Sequence, residues 1–197
     1  MECGIKAYPA VATAQTSIET LGLLAKEHGF THEDIQEINL GVAVRAIEHG
    51  GAIVQPTDVS SAQFCIPFSV ALQAVLGSND VFHYTDSALW RDERILNIAK
   101  RVTYTPDETA VSDTRHSCRM TVTLKDGATF KKHTPYPRGS FLNPLTAKEA
   151  QAKFAVMATR VVGEARVKEL IQAVDEIESL QDVTTIADLL CLPKAKH

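Results

Sequence analysis

Lys6 is the residue whose type and surroundings are best suited to chemistry, and it stands in the segment Gly4-Ile5-Lys6-Ala7-Tyr8-Pro9. A lysine ammonium is a compact point charge that can hold a carboxylate. An active-site lysine needs other side chains around it, and very little of the sequence precedes this one. Two interpretations therefore stand. Lys6 is a surface charge near a chain terminus, or it belongs to the site of a larger assembly.

Arg138 is a second candidate, in the stretch Tyr136-Pro137-Arg138-Gly139-Ser140. The planar guanidinium of arginine presents two parallel N–H donors that match a carboxylate. The alternative is that Arg138 ties its loop to a neighbouring helix, and the sequence leaves both roles open.

The histidines and cysteines do not predict a metal site. His116 and Cys118 form a His-x-Cys pair, but no second pair of ligands accompanies them. The other cysteines, Cys3, Cys65 and Cys191, lie far apart, and no Cys-x-x-Cys motif occurs. We expect buried free thiols in a reducing compartment, which is the cytoplasm or, in a eukaryote, the mitochondrial matrix. We also expect no metal and no other cofactor.

The composition is that of a globular domain with a hydrophobic core. Of the 197 residues, 45% are hydrophobic and 22% are charged, and the formal net charge is −4. Lysine and arginine are dispersed rather than gathered in a stripe, which argues against a nucleic-acid partner. No apolar run approaches the roughly 20 residues that span a bilayer, so we expect no membrane partner.

The elements that must position Lys6 begin with a helix predicted over Thr13 to His28, in which apolar residues recur at helical spacing. A strand is predicted over Ile35 to Val44, where alternate residues are apolar. Gly50-Gly51 indicates a loop. Ser60 to Leu76 is a predicted buried helix that is either kinked at Pro67 or begins near it.

The middle of the chain carries the strongest β signal. Asp86 to Arg101 is amphipathic and predicts a helix, and Val102 to Thr105 predicts a short strand before Pro106. Ser117 to His133 then predicts a hairpin, because Asp126-Gly127 separates two alternating runs.

The last third of the sequence predicts an irregular loop followed by helices. Thr134 to Pro144 holds three prolines, and Thr146 with Glu149 forms a capping-box pattern that opens a helix to about Val162. Further helices are predicted over residues 164–179 and 184–190. The fold class is therefore α+β, with a central antiparallel sheet and flanking helices followed by a helical tail.

Three stretches, taken in this order, resemble the MmgE/PrpD family of proteins. The first is Lys6-Ala7-Tyr8-Pro9. The second is Pro56-Thr57 followed by Ala62-Gln63-Phe64-Cys65-Ile66-Pro67-Phe68-Ser69-Val70-Ala71. The third is made of Asp126-Gly127, Pro137-Arg138-Gly139, Asn143-Pro144-Leu145-Thr146 and Lys153-Phe154.

The resemblance implies an enzyme of the lyase or isomerase class that acts on a small polycarboxylate. Family reactions share the removal of a proton or a carboxylate alpha to a carboxylate group. The reaction of 2-methylcitrate dehydratase, a family member, is one example. The developing negative charge requires cationic or donor groups already in place.

The resemblance also implies an architecture in which this sequence is only the C-terminal half of such a protein. Residues 1–145 would form an α+β lid domain. Residues 146–197 would pack on an absent N-terminal helical domain, supplied in cis or in trans, and the assembled enzyme would be a homo-oligomer, as a homodimer is usual in the family. The chain alone would be inactive.

The family's site residues carry over to five positions here. Lys6 would be the catalytic lysine and would bind a substrate carboxylate, and the substrate would also be bound by Tyr8, Gln15, Phe68 and Arg138. The chain departs from the family pattern at three positions. Val11 stands where decarboxylase members carry histidine, Gln15 stands where many family members carry histidine, and Phe68 stands where decarboxylase members carry tyrosine. These changes argue against decarboxylation and leave dehydratase or epimerase chemistry, or an inactive copy, open.

A non-catalytic module that dimerises or binds another protein is the alternative function. The feature that separates the two is an apolar stripe in the predicted tail, formed by Ala147, Phe154, Met157, Val161 and Val162. This apolar stripe is too broad for so small a lid domain to cover. Burial of the stripe in a self-dimer would favour the module, because large exposed apolar patches mark interaction sites.

Overall fold

The computed structural model describes residues 4–111 and 116–191. It divides into two compact units, residues 1–144 and residues 145–197, which are described separately. The fold class is α+β, as the sequence predicts. Cys3 and His197 lie outside the described residues. Within the described part of the chain, no helix is long and apolar enough to cross a membrane.

A four-stranded sheet in the order β2-β1-β3-β4 organises the first unit. The strands are β1 (Ile35–Val42), β2 (Val102–Pro106), β3 (Cys118–Leu124) and β4 (Thr129–Thr134). β1 pairs antiparallel with β3, and β3 pairs antiparallel with β4, but β1 and β2 run parallel. The expected antiparallel pairing therefore holds for three strands, and the sheet as a whole is mixed.

The hairpin of β3 and β4 follows the alternation of its sequence. Along β3 the apolar side chains point inward, and Cys118, Met120, Val122 and Leu124 are all buried. Gly127 has φ +89° in the turn to β4, a conformation that glycine adopts without steric cost. The hairpin prediction is confirmed.

Helices of the first unit cover one face of the sheet. They are α1 (Gln15–His28), α2 (Val44–Ala46), α3 (Val59–Phe64), α4 (Ile66–Leu76), α5 (Val81–Thr85) and α6 (Glu93–Ala99). Helix α1 packs on β3, β4 and α4, and α4 packs on α6. Gly29 ends α1 with φ +72°, which confirms the predicted stop.

Several stretches of the first unit differ from the sequence predictions. The strand predicted over Ile35 to Val44 ends at Val42, and Val44 begins α2. Ile47–Gly51 forms a π-helical turn after α2, so Gly50-Gly51 is not an open loop. The stretch predicted as a helix from Asp86 to Arg101 is a short 3₁₀ turn, Leu89–Arg91, followed by α6. The break comes at Asp92, whose side chain caps α6 by accepting from the Arg94 N–H at 2.9 Å.

The helix predicted over Ser60 to Leu76 is two helices that meet at Cys65. Cys65 is extended, with φ −83° and ψ 105°, and Pro67 lies in the first turn of α4. This agrees with the predicted start near Pro67, because the missing proline N–H is unpaired at a helix start in any case.

The second unit contains the helices α7 (Ala147–Val162), α8 (Glu164–Asp175) and α9 (Thr184–Leu190). The capping box at Thr146 is confirmed, since Thr146 Oγ1 accepts from the Glu149 N–H at 3.3 Å and the Thr146 N–H donates to Glu149 Oε2 at 2.8 Å. No residue of α7 is fully buried, whereas Val167, Leu170 and Ala173 of α8 are. An apolar groove of about 450 Å³ lies among the three helices.

Candidate active site

Three hydrogen bonds fasten the segment that carries Lys6 to the side chain of Gln15, in the first turn of α1. The Tyr8 N–H donates to Gln15 Oε1 at 3.0 Å. Gln15 Nε2 donates to the carbonyl oxygens of Tyr8 at 2.9 Å and of Ala10 at 3.1 Å. Gln15 is 2% exposed, so water competes little for these bonds. An amide side chain has one carbonyl oxygen and two N–H donors, and all three bond the backbone of this segment.

Two backbone hydrogen bonds join the same segment to the other motifs. The Ile5 N–H donates to the carbonyl oxygen of Gly139 at 2.8 Å, and the Val11 N–H donates to that of Gln63 at 2.8 Å. The Lys6 segment is thus bonded to Gln63 of the second family stretch and to Gly139 of the third.

Two glycines allow the loop of residues 135–144 to approach the Lys6 segment this closely. A Cβ added to Gly4 would lie 2.7 Å from the carbonyl oxygen of Gly139, a distance that real Cβ atoms do not show. Gly139 has φ +86°, and its N–H donates to the carbonyl oxygen of Asn143 at 2.7 Å. A side chain at Gly4 would force the two segments apart, and one at Gly139 would strain the left-handed backbone of its own loop.

Lys6 lies between two anchored neighbours, because Ile5 is bonded to Gly139 and Tyr8 to Gln15. Its side chain is exposed. The backbone of Lys6 is therefore held while its ammonium faces solvent, an arrangement that can present a cation to an anionic substrate. Its catalytic role stays a prediction.

The Tyr8 phenol is half-buried beside Glu19 and Arg138. The pKa of Tyr8 is raised to about 12, chiefly by burial and also by the nearby carboxylate of Glu19, while the guanidinium of Arg138 opposes the rise. The phenol is therefore protonated at neutral pH. It can donate a hydrogen bond to a substrate oxygen, but it cannot serve as a general base.

Arg138 is tied into its own loop and to α1. Arg138 Nη1 donates to Asn143 Oδ1 at 2.8 Å and to the carbonyl oxygen of Pro144 at 2.6 Å. The Arg138 N–H donates to Glu19 Oε2 at 3.1 Å, which fastens the loop to α1. The structure thus shows the structural tie that the sequence left open. Contact with a substrate anion stays a prediction for Arg138.

Phe68 lies in the core of the first unit and is completely buried. Its ring packs edge-on against Tyr84, with 6.1 Å between the ring centroids and 79° between the planes. Substrate binding by Phe68 stays a prediction.

The structure brings Tyr8, Gln15 and Arg138 together around the first turns of α1. Sequence reasoning assigned no role to Glu19, which fastens the Arg138 loop, or to Gln63, whose carbonyl oxygen accepts from the Val11 N–H. The one available signal was the spacing of Gln15 and Glu19, because residues four apart lie on the same face of a helix.

The described cysteines are free thiols. Cys65 and Cys118 are buried, as the sequence predicts, whereas Cys191 is exposed. Burial raises the pKa of both buried thiols to about 11, so neither is a thiolate at neutral pH. Among residues 4–111 and 116–191, no group of three or more His, Cys, Asp or Glu side chains is placed to hold a metal ion.

Comparison with known proteins identifies the family. The profile of the MmgE/PrpD C-terminal domain matches residues 8–178, so the chain belongs to the MmgE/PrpD family. It is 29% identical over 96 residues to cis-aconitate decarboxylase of Mus musculus, covering 49% of this chain and 20% of that protein. It is 34% identical over 73 residues to cis-aconitate decarboxylase of Homo sapiens, covering 37% and 15% of the two chains. The matched region is thus one fifth or less of the length of these relatives.

Proposed function

We propose that this chain is the C-terminal part of a lyase or isomerase of the MmgE/PrpD type, similar to 2-methylcitrate dehydratase, that acts on a small polycarboxylate. In dehydration, a base removes a proton alpha to a carboxylate and the C–H electron pair forms the C=C bond. The hydroxyl group leaves as water with a proton from an acid. Lys6 holds the carboxylate on which negative charge develops.

The observation that carries this proposal is that the backbone around Lys6 is bonded to one residue of the second family stretch, Gln63, and one of the third, Gly139. Ile5, Tyr8 and Val11 are bonded to three different parts of the first unit, and the lysine between them faces outward. Such a held backbone supports catalysis because electrostatic stabilisation depends on groups that are already in place.

The residues around Lys6 favour dehydration or epimerisation over the decarboxylation named for the two relatives. Val11 cannot transfer a proton, and the Gln15 amide is engaged with the backbone. Phe68 has no hydroxyl group to donate. By family resemblance these positions carry histidine, histidine and tyrosine in other members, so this chain lacks those three proton-handling groups.

The proposal assigns residues 1–145 to a lid domain and residues 146–197 to helices that pack on an N-terminal helical domain, in cis or in trans. That domain would supply the acid and the base. Exposed apolar side chains on the second unit support this assignment: Val156 is 48% exposed, Val161 64% and Val174 53%. Covering such side chains is favourable by about 25 cal/mol per Å² of apolar surface.

The test is an ultraviolet assay for double-bond formation from 2-methylcitrate and double-bond loss from cis-aconitate. The chain is assayed alone and with a helical-domain polypeptide, beside Lys6→Met and the matched control Lys26→Met, an exposed lysine on α1. We expect activity only in the mixture, a loss of about 10²–10³-fold in Lys6→Met and little change in Lys26→Met. Equal activity of the two variants, or an inactive mixture, contradicts the proposal.

The exposed apolar side chains also favour a second candidate, a non-catalytic module that dimerises through α7. Analytical ultracentrifugation of the chain separates the two candidates. A dimer that Val161→Lys dissociates, together with an inactive mixture, favours the module. A monomer that forms an active complex with the helical domain favours the enzyme.

A further inference from the structure

Gln15 is engaged on every polar atom of its side chain, and all of its partners belong to the backbone just after Lys6. Its oxygen accepts from the Tyr8 N–H, and its nitrogen donates to two carbonyl oxygens. Both N–H donors of the amide are thereby used, so a substrate carboxylate oxygen could bind this amide only by breaking one of these bonds. The side chain is also 2% exposed, which leaves no open face for a substrate.

We propose that Gln15 is a positioning residue that fixes the backbone of the Lys6 segment, and that it does not contact the substrate. The catalytic consequence rests on the proposed function of Lys6, but the placement of the segment does not. This inference replaces the substrate-binding role predicted for Gln15 from its sequence.

Glutamine suits this position because the segment turns two carbonyl oxygens and one N–H towards α1. A histidine side chain in its neutral form offers one donor and one acceptor, so it would leave one of the three backbone groups unpaired. Glutamate offers acceptors alone when ionised, and its oxygens would face two carbonyl oxygens. Methionine has a similar length but cannot form any of the three bonds.

A second anchor on the same face of α1 fixes the neighbouring loop. Glu19 follows Gln15 by one helical turn, and its carboxylate accepts from the Arg138 N–H at 3.1 Å. Helix α1 thereby sets the backbone positions of both the Lys6 segment and the Arg138 loop. The Gln15 bonds hold the side of the segment that follows Lys6, and the Ile5 bond to Gly139 holds the side that precedes it.

The experiment compares amide hydrogen exchange, measured residue by residue by NMR, in the wild-type chain and in Gln15→Met. The reporter is the Tyr8 amide, which donates to Gln15. The reference is the buried Ser69 amide in α4, which donates to the carbonyl oxygen of Cys65 at 3.1 Å. Gln36→Met, at an exposed position on β1, is the matched control.

We expect the Tyr8 amide to exchange at least about tenfold faster in Gln15→Met, because local opening frees an amide while the core stays closed. The Ser69 amide should change by less than about threefold, and Gln36→Met should change neither amide. Unchanged exchange at Tyr8, or an equal increase at Tyr8 and Ser69, overturns the inference. If Gln15→Met does not fold, Gln15→Glu takes its place with the same two criteria.

The ionisation of the Tyr8 phenol gives a second readout. Burial holds the pKa of Tyr8 at about 12, so release of the segment should lower that pKa towards its ordinary value of about 10. An unchanged Tyr8 pKa in a folded Gln15→Met variant contradicts a positioning role. Neither readout uses a substrate. A Lys6→Met variant as active as Lys26→Met would therefore refute the proposed function and leave this inference intact.

Discussion

A pair of buried threonine hydroxyl groups should stabilise the helix that carries Gln15 and Glu19. Thr20 Oγ1 donates to the carbonyl oxygen of Thr16 at 2.6 Å and lies 2.7 Å from Thr134 Oγ1 on β4. Thr20 is completely buried and Thr134 is 7% exposed. Replacing either threonine by valine keeps the shape of the side chain and removes the hydroxyl group, so the loss of stability measures the hydrogen bonds.

The two substitutions should differ in cost. Thr20→Val removes the shared bond and leaves the Thr134 hydroxyl unpaired inside the protein, which costs about 1–3 kcal/mol. Thr134→Val leaves Thr20 bonded to the Thr16 carbonyl oxygen, so it should cost only about 0.5–1.5 kcal/mol. The double variant should lose less than the sum of the two by about 1 kcal/mol, because residues that share a hydrogen bond do not act independently.

Urea unfolding followed by tryptophan fluorescence measures these differences. The sequence has a single tryptophan, Trp90, and it lies in the first unit, so the signal reports that unit. Thr129→Val, at an exposed position of β4, is the control and should change stability by less than about 0.5 kcal/mol. Additive losses within about 0.3 kcal/mol, or a Thr20→Val variant as stable as the control, would refute the reasoning.

Two further predictions follow from single contacts. Gly4→Ala should speed exchange of the Ile5 amide, with little change in global stability, because its Cβ would lie 2.7 Å from the Gly139 carbonyl oxygen that the amide contacts; unchanged exchange would show that the segment shifts without losing the bond. Hydrogen bonds from Thr109, aided by Arg119, hold the pKa of Asp107 below its ordinary value. The native state therefore binds this proton less readily than the unfolded state, so the stabilisation is present above about pH 4 and is lost as the pH falls further. Asp107→Asn should flatten this acid limb in urea titrations between about pH 2 and 6, and an unaltered limb would contradict the assignment.

The elements that the sequence predicts well are those with short-range causes. The hairpin follows from Asp126-Gly127 between alternating runs, and α7 begins where Thr146 and Glu149 satisfy each other's backbone N–H groups. The parallel pairing of β1 with β2 has no such local signal, because it depends on how the intervening helices return the chain. Alternation in β2 predicts a strand but not its direction.

The candidate site was predicted by residue type and only partly by role. Family resemblance named Lys6, Gln15 and Arg138, and the structure places them around one helix end. The resemblance could not show that the Gln15 amide faces the backbone, because the sequence does not distinguish a glutamine that binds a substrate from one that binds a carbonyl oxygen. That distinction depends on the direction of one side chain relative to a segment that precedes it.

The polar first turns of α1 explain why one helix can serve both the core and the site. Thr16, Ser17 and Thr20 are completely buried, although hydroxyl-bearing residues rarely lie at a helix–sheet interface. Each buried hydroxyl group that finds a partner fixes the rotation of α1, because a hydrogen bond is directional whereas apolar packing is not. A fixed rotation is what Gln15 and Glu19 require, since a turn of the helix about its axis would carry both side chains away from the two loops. The Thr20–Thr134 bond therefore stabilises the fold and sets the orientation of the site, and Thr20→Val should speed exchange at Tyr8 as well as lower stability.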